Sequence, residues 1–268
     1  GPLFHKASKE DIKGFWDAVD KWYQDNKVVT EFIRFHLNDN EKYYSGQCVP
    51  TLNNIYGCLP PTFDEQWNTF LPKVRNNYRK AEKENLVFKL YTGKEISEDI
   101  ITSFYIVYSE TMKRNKASEF LYFSKEHFIK LVFANPEHFS IALVFKEDIA
   151  VSSELIIYVG DCIYAYLGGT LSNYFHCRPN DFLRVEIIRW AILKKNKHYI
   201  LGGGIINDDG LYKFKKSLFP KSEDRIFYTG RKVIDREKYD LLNERTGISK
   251  HEDGENHNFF PLYRNTSK

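Results

Sequence analysis

Ile12, Phe15, Trp16, Val19 and Trp22 recur every three or four residues, and Ser8 stands three places before Asp11 as an N-cap. The pattern predicts an amphipathic helix over residues 9–24. Residues 28–35 read as a strand, and residues 37–61 mix Asn, Tyr, Gly and Pro with short apolar pieces that suit strands joined by loops. From Thr62, with Glu65 three places on, helical spacing runs through Trp67, Phe70, Val74 and Tyr78 to about residue 84, with Pro72 set to divide it. A strand is predicted at 87–91, a long helix at 97–114, a short strand at 121–123 and a helix at 124–135. Three apolar segments at hairpin spacing follow, 139–146, 150–159 and 162–169, with Glu147-Asp148 and Gly160-Asp161 as turns. A helix at 182–195 and the strand Tyr199-Ile200-Leu201 complete the pattern, the strand ending in Gly202-Gly203-Gly204. This order predicts an α+β fold, a mostly antiparallel sheet flanked by helices.

Composition narrows the function classes. At 268 residues with 16% aromatic content the chain builds a packed core and is not a disordered segment. A net charge of +3 gives no global grip on nucleic acid or an anionic membrane, so any such contact must come from a local basic patch. Cys48, Cys58, Cys162 and Cys177 lack zinc-site spacing and read as reduced structural thiols. No apolar run reaches the roughly 18 residues of a membrane span and no signal-peptide order opens the chain, so a cytoplasmic location is expected. No metal is expected: His251-Glu252-Asp253-Gly254-Glu255-Asn256-His257 fits neither HExxH nor an EF-hand loop and reads as an exposed loop.

Particular residues add a resemblance. Glu31-Phe32-Ile33-Arg34-Phe35-His36, Arg75-Asn76-Asn77-Tyr78-Arg79-Lys80-Ala81-Glu82-Lys83, Tyr166-Leu167-Gly168-Gly169-Thr170 with Arg178-Pro179-Asn180, and Leu201-Gly202-Gly203-Gly204 with Gly210-Leu211-Tyr212-Lys213-Phe214-Lys215-Lys216 occur in that order. With the element order they resemble the Fem family of peptidoglycan-bridge aminoacyltransferases, within the GNAT superfamily. The resemblance implies two side-by-side GNAT-like units, expected at 1–95 (the first, N-terminally incomplete) and 96–220, with a tail at 221–268 packing back on the first.

It also implies a site. Lys215 resembles the family's functional lysine, a cation for an oxyanion or a substrate phosphate; without the resemblance it reads as one solvated lysine among four between 213 and 221. Tyr212 and Phe214 flank it as substrate-binding candidates. The Gly202, Gly203 and Gly204 triplet reads either as a loop whose N–H groups approach a ligand or as a tight turn. Asp208 and Asp209 read as a proton acceptor for the incoming amine or as turn chemistry. Arg178, at a helix start, suits a phosphate or carboxylate. Arg34 and His36 match the family's first-unit motif at the acceptor cleft, against the plainer reading of a strand-end ion pair. Tyr166 reads as a cleft residue or as core packing. Arg75, Arg79 and Lys83 recur at four-residue spacing, with Lys80 nearby, and read as RNA contacts or as a solvated face.

The Gly-rich pyrophosphate loop of acetyl-CoA-using GNAT enzymes is not present; Asn173-Tyr174-Phe175-His176-Cys177-Arg178-Pro179-Asn180 stands in its place. No permanently bound cofactor is expected, and the donor is aminoacyl-tRNA or acyl-CoA. The reading is an N-acyltransferase acting on an amine of a nucleotide- or lipid-linked envelope precursor, peptidoglycan or surface polysaccharide. An acyl-CoA-dependent amino-sugar N-acetyltransferase and a non-catalytic precursor-binding module stay open.

Overall fold

The computed structural model describes residues 1–247 and 259–265. The chain divides into two compact units, one of Gly1–Asn53 together with the described residues from Arg225 on, the other Asn54–Asp224. This division cuts the chain differently from the expected 1–95, 96–220 and 221–268.

In the first unit, helix α1 (Lys9–Asp25) starts at a capping box in which Ser8 and Asp11 satisfy each other's backbone N–H. Strand β1 (Thr30–Arg34) pairs antiparallel with β8 (Asp224–Val233), from Thr30 opposite Val233 to Arg34 opposite Thr229. Strand β2 (Gln47–Cys58) begins in this unit and ends in the other, and helix α8 (Arg236–Arg245) follows β8. Trp16 and Phe35 are buried, and the buried Glu31 carboxylate accepts from the hydroxyls of Tyr23 and Tyr44. Tyr44 also packs edge-on against Trp16 and Phe35. Within the expected tail of 221–268, residues 224–245 thus carry a strand and a helix. His251 to His257 lie outside the described residues.

The second unit is the α+β sheet of the sequence reading. Helices α2 (Phe63–Thr69) and α3 (Pro72–Glu82) are separated at Pro72, which takes the first turn of α3, where its missing N–H costs nothing. Strand β3 (Leu86–Thr92) then pairs along its length with β4 (Phe139–Lys146), which ties residues 86–92 to this unit. Between them lie α4 (Glu98–Arg114) and α5 (Lys125–Ala134), each with a serine N-cap. Residues 119–121 form a 3₁₀ turn where a short strand was expected, and the Tyr108 hydroxyl donates to the Leu121 carbonyl there.

Strands β4, β5 (Ile149–Val159) and β6 (Cys162–Thr170) form the predicted meander. Helix α6 (Pro179–Leu193), β7 (His198–Gly202) and α7 (Gly210–Leu218) complete the unit, whose strand order is β2-β7-β6-β5-β4-β3. One face of the sheet packs Val151, Ile156 and Ile163 against α6 and α3; the other packs Ile141, Leu143 and Leu155 against α4 and α5.

Gly168 and Gly169 mark close approaches within this packing. A Cβ on Gly168 would lie 2.4 Å from the Ser153 carbonyl oxygen of the neighbouring strand, and one on Gly169 would lie 2.2 Å from Thr111 Oγ1 on α4. Gly168→Ala is expected to destabilise the protein by about 1–3 kcal/mol, because a backbone atom must move. Gly14→Ala, inside α1 with nothing near its would-be Cβ, is expected to stabilise by about 0.5–1 kcal/mol. Urea denaturation of both variants checks the opposite signs.

Candidate active site

Strands β6 and β7 run parallel, and their pairing covers only 162–164 against 198–200. Beyond it β6 goes on to Thr170 while β7 ends at Gly202, and the gap becomes a cleft of about 530 Å³. Residues 165–170 form one wall and Leu201 another, with Arg178 and Arg184 of the α6 region and Phe214 and Lys215 of α7 reaching in.

Lys215 enters because of its place on α7. Leu211, Phe214, Lys215 and Leu218 fall at spacings of three and four, so they share one helix face, and Leu218 is buried. The neighbouring Lys216 goes elsewhere, donating to the Ser222 carbonyl at 2.6 Å and to Asp224 at 2.7 Å, while Lys213 is exposed. Lys215 Nζ donates to the Gly203 carbonyl at 2.6 Å. Burial, then the positive charge of Arg184, lowers its pKa from 10.5 to about 8, with Asp209 acting in the opposite direction.

Under the cleft lies a buried polar triangle. Glu154 of β5 and Tyr199 of β7 are 1% and 0% exposed, and the Tyr199 hydroxyl donates to Glu154. Arg184 pairs with the same carboxylate and donates to the Tyr199 oxygen at 2.7 Å. Removing one partner of such a pair costs about 3–5 kcal/mol, because it strands a buried charge. The Ser153 hydroxyl and Arg184 Nε, both in residues lining the cleft, have no hydrogen-bond partner among the described residues. At the mouth Arg114 donates to the Thr170 carbonyl at 2.6 Å and lies over the Phe175 ring. Arg178 precedes α6 in the left-handed region (φ 57°), and no side chain caps that helix start. Asp181, one turn in, accepts from Asn77 at 3.0 Å, and burial raises its carboxyl.

The FemAB-like family, described as peptidoglycan biosynthesis/recognition, matches residues 63–198, half of the chain. The chain belongs to this family. Among solved structures, FemX superposes with a TM-score of 0.66 at 13% identity, covering 90% of this chain and 81% of that one. The C-terminal domain of a putative lysylphosphatidylglycerol synthetase from Agrobacterium fabrum gives a TM-score of 0.60 at 12% identity, covering 92% and 82%. L-PGS from Bacillus licheniformis gives 0.52 at 16%, covering 85% and 74%. No curated protein sequence matches it. This FemAB-like chain is an acyltransferase of the Fem type.

Of the expected site residues, Tyr166, Arg178, Phe214 and Lys215 line the cleft of this FemAB-like protein together. The glycine triplet takes its turn reading. Gly202 has φ 71°, and Gly204 lets the backbone close on Asp209, whose Oδ1 would be 2.2 Å from a Cβ there. The triplet shows Lys215 a carbonyl, not an N–H. Asp209 likewise is a cap: Oδ1 accepts from Tyr212 N at 2.7 Å and Oδ2 from Ile205 N at 2.7 Å and Ile206 N at 3.3 Å. Those bonds hold its carboxyl below the usual range, which suits it poorly to accepting a proton. Asp208 sits exposed in the same turn at φ 61°. The Tyr212 hydroxyl donates to Asp224, and that bond pushes it up to about 12.

On α3, Arg75 donates to the Phe70 carbonyl at 2.5 Å and Arg79 lies over the Trp67 ring, whereas Lys80 and Lys83 are exposed. In the first unit Arg34 is exposed at the end of β1, and the His36 N–H donates to Asn40 at 2.7 Å; burial lowers the His36 imidazole. Among the described residues no His, Cys, Asp and Glu group is arranged to hold a metal, and no helix is long and apolar enough to cross a membrane. The sequence reading missed Glu154 and Arg184. Their signal was a charge in the middle of an apolar meander strand, and an arginine in register with Ile188 and Ala191 on the buried face of α6.

A lysine whose folded pKa lies below its unfolded value resists protonation in the native state. The penalty is full below about pH 8 and disappears as pH rises towards 10.5. The melting-temperature difference between Lys215→Met and the parent is therefore expected to favour the variant most at pH 7 and to shrink steadily by pH 10, as read by scanning calorimetry.

Proposed function

We propose that the protein transfers an aminoacyl group from aminoacyl-tRNA to an amine of a nucleotide- or lipid-linked envelope precursor, acting on the cytoplasmic side of the membrane. One observation carries the reading: Lys215, tethered to the Gly203 carbonyl, shares a cleft with Arg178 and the uncapped start of α6. Amide formation builds negative charge on the carbonyl oxygen of the donor ester as the neutral amine attacks. A half-buried ammonium fixed by one hydrogen bond stabilises that oxygen without reorganising. Arg178, at the positive end of α6, suits the phosphates of the precursor. Tyr166 and Phe214 supply apolar walls for the sugar or acyl portion.

The donor assignment rests on residues 173–180, which form a 3₁₀ turn and helix start without the glycines of a pyrophosphate loop. Lys80 and Lys83, with the exposed Arg79, are the proposed contacts to the tRNA backbone. Arg34 and His36 are the proposed acceptor contacts of the first unit.

Charged tRNA and acetyl-CoA, each labelled in the acyl group, are to be offered separately with a nucleotide-linked muropeptide precursor. Label is expected to pass from the tRNA; label passing from acetyl-CoA alone overturns the donor assignment, and binding without transfer from either points to a recognition module. Lys215→Ala is expected to lower the transfer rate about 10²–10³-fold at saturating substrate. Transfer by the parent is expected to fall as pH rises through about 8, where Lys215 loses its charge. Lys215→Arg, which stays charged, is expected to lack that descending limb in the pH–rate profile.

A further inference from the structure

Lys215 has no ion-pair partner among the described residues, yet it shares its cleft with a second cation that is unable to move away. The Arg184 guanidinium is held by the Glu154 carboxylate and by the Tyr199 oxygen at 2.7 Å, and Tyr199 donates in turn to Glu154. The Glu154 side chain is 1% exposed and that of Arg184 14% exposed. On a protein surface two like charges relax by swinging apart into water. Here the arginine can leave only by abandoning a buried carboxylate, which costs more than the repulsion it relieves.

We infer that Arg184 is a positioning residue for Lys215: pinned by Glu154 and Tyr199, its guanidinium fixes how readily Lys215 holds its proton in the cleft. The other charged groups around Lys215 are accounted for. Asp209, at the N-cap of α7, attracts the ammonium but has both oxygens bonded to backbone N–H groups, and Asp208 points from the exposed turn. Lys216 is turned to Asp224, and Lys213 is exposed. Asp181 is bonded to Asn77, Arg114 to the Thr170 carbonyl, and Arg178 stands at the start of α6. The lowered proton affinity of Lys215, attributed to burial first and Arg184 second, agrees with this geometry. The pH at which the cleft loses its cation is thus governed in part by the guanidinium that Glu154 and Tyr199 hold beside it.

The inference rests on Lys215 as the transfer cation, but its test needs no substrate. The free protein is pulsed with acetic anhydride from pH 6 to 11, and acetylation of Lys215 is followed by peptide mass spectrometry. Only the neutral amine reacts, so the profile gives the midpoint of Lys215. Arg184→Met is expected to move the midpoint up by about half a pH unit or more, and Glu154→Gln, which leaves the guanidinium unneutralised, to move it down. A residue that merely supports the fold would move both midpoints the same way or not at all, and either result overturns the inference. Where Arg184→Met fails to fold by circular dichroism, the pair Glu154→Gln with Arg184→Met leaves no buried charge. Its midpoint is then expected above that of the parent, and an unchanged or lower one overturns the inference. Opposed midpoints in a protein that transfers no acyl group would leave the positioning role standing and remove the transfer reading alone.

Discussion

The parting of β6 from β7 is the constraint on which the site depends. Two parallel strands that stayed paired to their ends would close the sheet and leave α7 to pack on a continuous surface. Here the ladder stops after Tyr164 and Ile200, and the backbone from Ala165 on has a partner on the β5 side alone. The opening admits side chains from the α6 region and α7, and so brings Lys215 of α7 together with Arg178 and Arg184 of the α6 region. Glycine at 168 and 169 keeps the free strand tight against β5 and α4 while it diverges from β7.

A gap in a sheet must be held open by something that does not fill it. The Glu154, Arg184 and Tyr199 triangle does this: it joins β5, α6 and β7 by hydrogen bonds and charge at the base of the cleft. An apolar substitute of equal volume would be as stable or more so, since buried ion pairs rarely beat a well-packed core. An apolar base, however, would place no fixed charge beside Lys215. The arrangement fits the common pattern in which a site keeps groups that local stability would not select.

Much of this was legible in the chain. Ser8 and Asp11 announced α1, the turns at Glu147-Asp148 and Gly160-Asp161 announced the meander, and Pro72 announced the break between α2 and α3, because each acts through neighbours in sequence. Lys215 was distinguishable from its neighbouring lysines by resemblance, and the structure adds the physical reason, its position on the inward face of α7. What stayed illegible depends on distant residues. Strand β8 pairs with β1 across two hundred positions, and no local pattern in a charged, Asn-rich stretch signals that. The four-residue spacing of Arg75, Arg79 and Lys83 does not show that Arg75 is tied to the Phe70 carbonyl while Arg79, still exposed, lies over Trp67.

The turn after β7 shows how the same residues support two readings until geometry decides. Three glycines after a strand and two aspartates before a helix have the composition of an anion-binding loop, and they also have that of a self-capped turn. The deciding fact is that Asp209 already bonds the N–H groups of Ile205, Ile206 and Tyr212. A substrate phosphate there would have to displace a carboxylate that belongs to the chain, at the cost of the α7 N-cap. In the proposed reaction the anion-binding role falls to Arg178 at the start of α6, and the turn presents the Gly203 carbonyl that fixes Lys215. Lys215 and Arg178 line the same cleft from different elements. On the proposed reading, a donor ester and a phosphate-bearing acceptor need two separate cations if they are to meet in one cleft without competing for one charge.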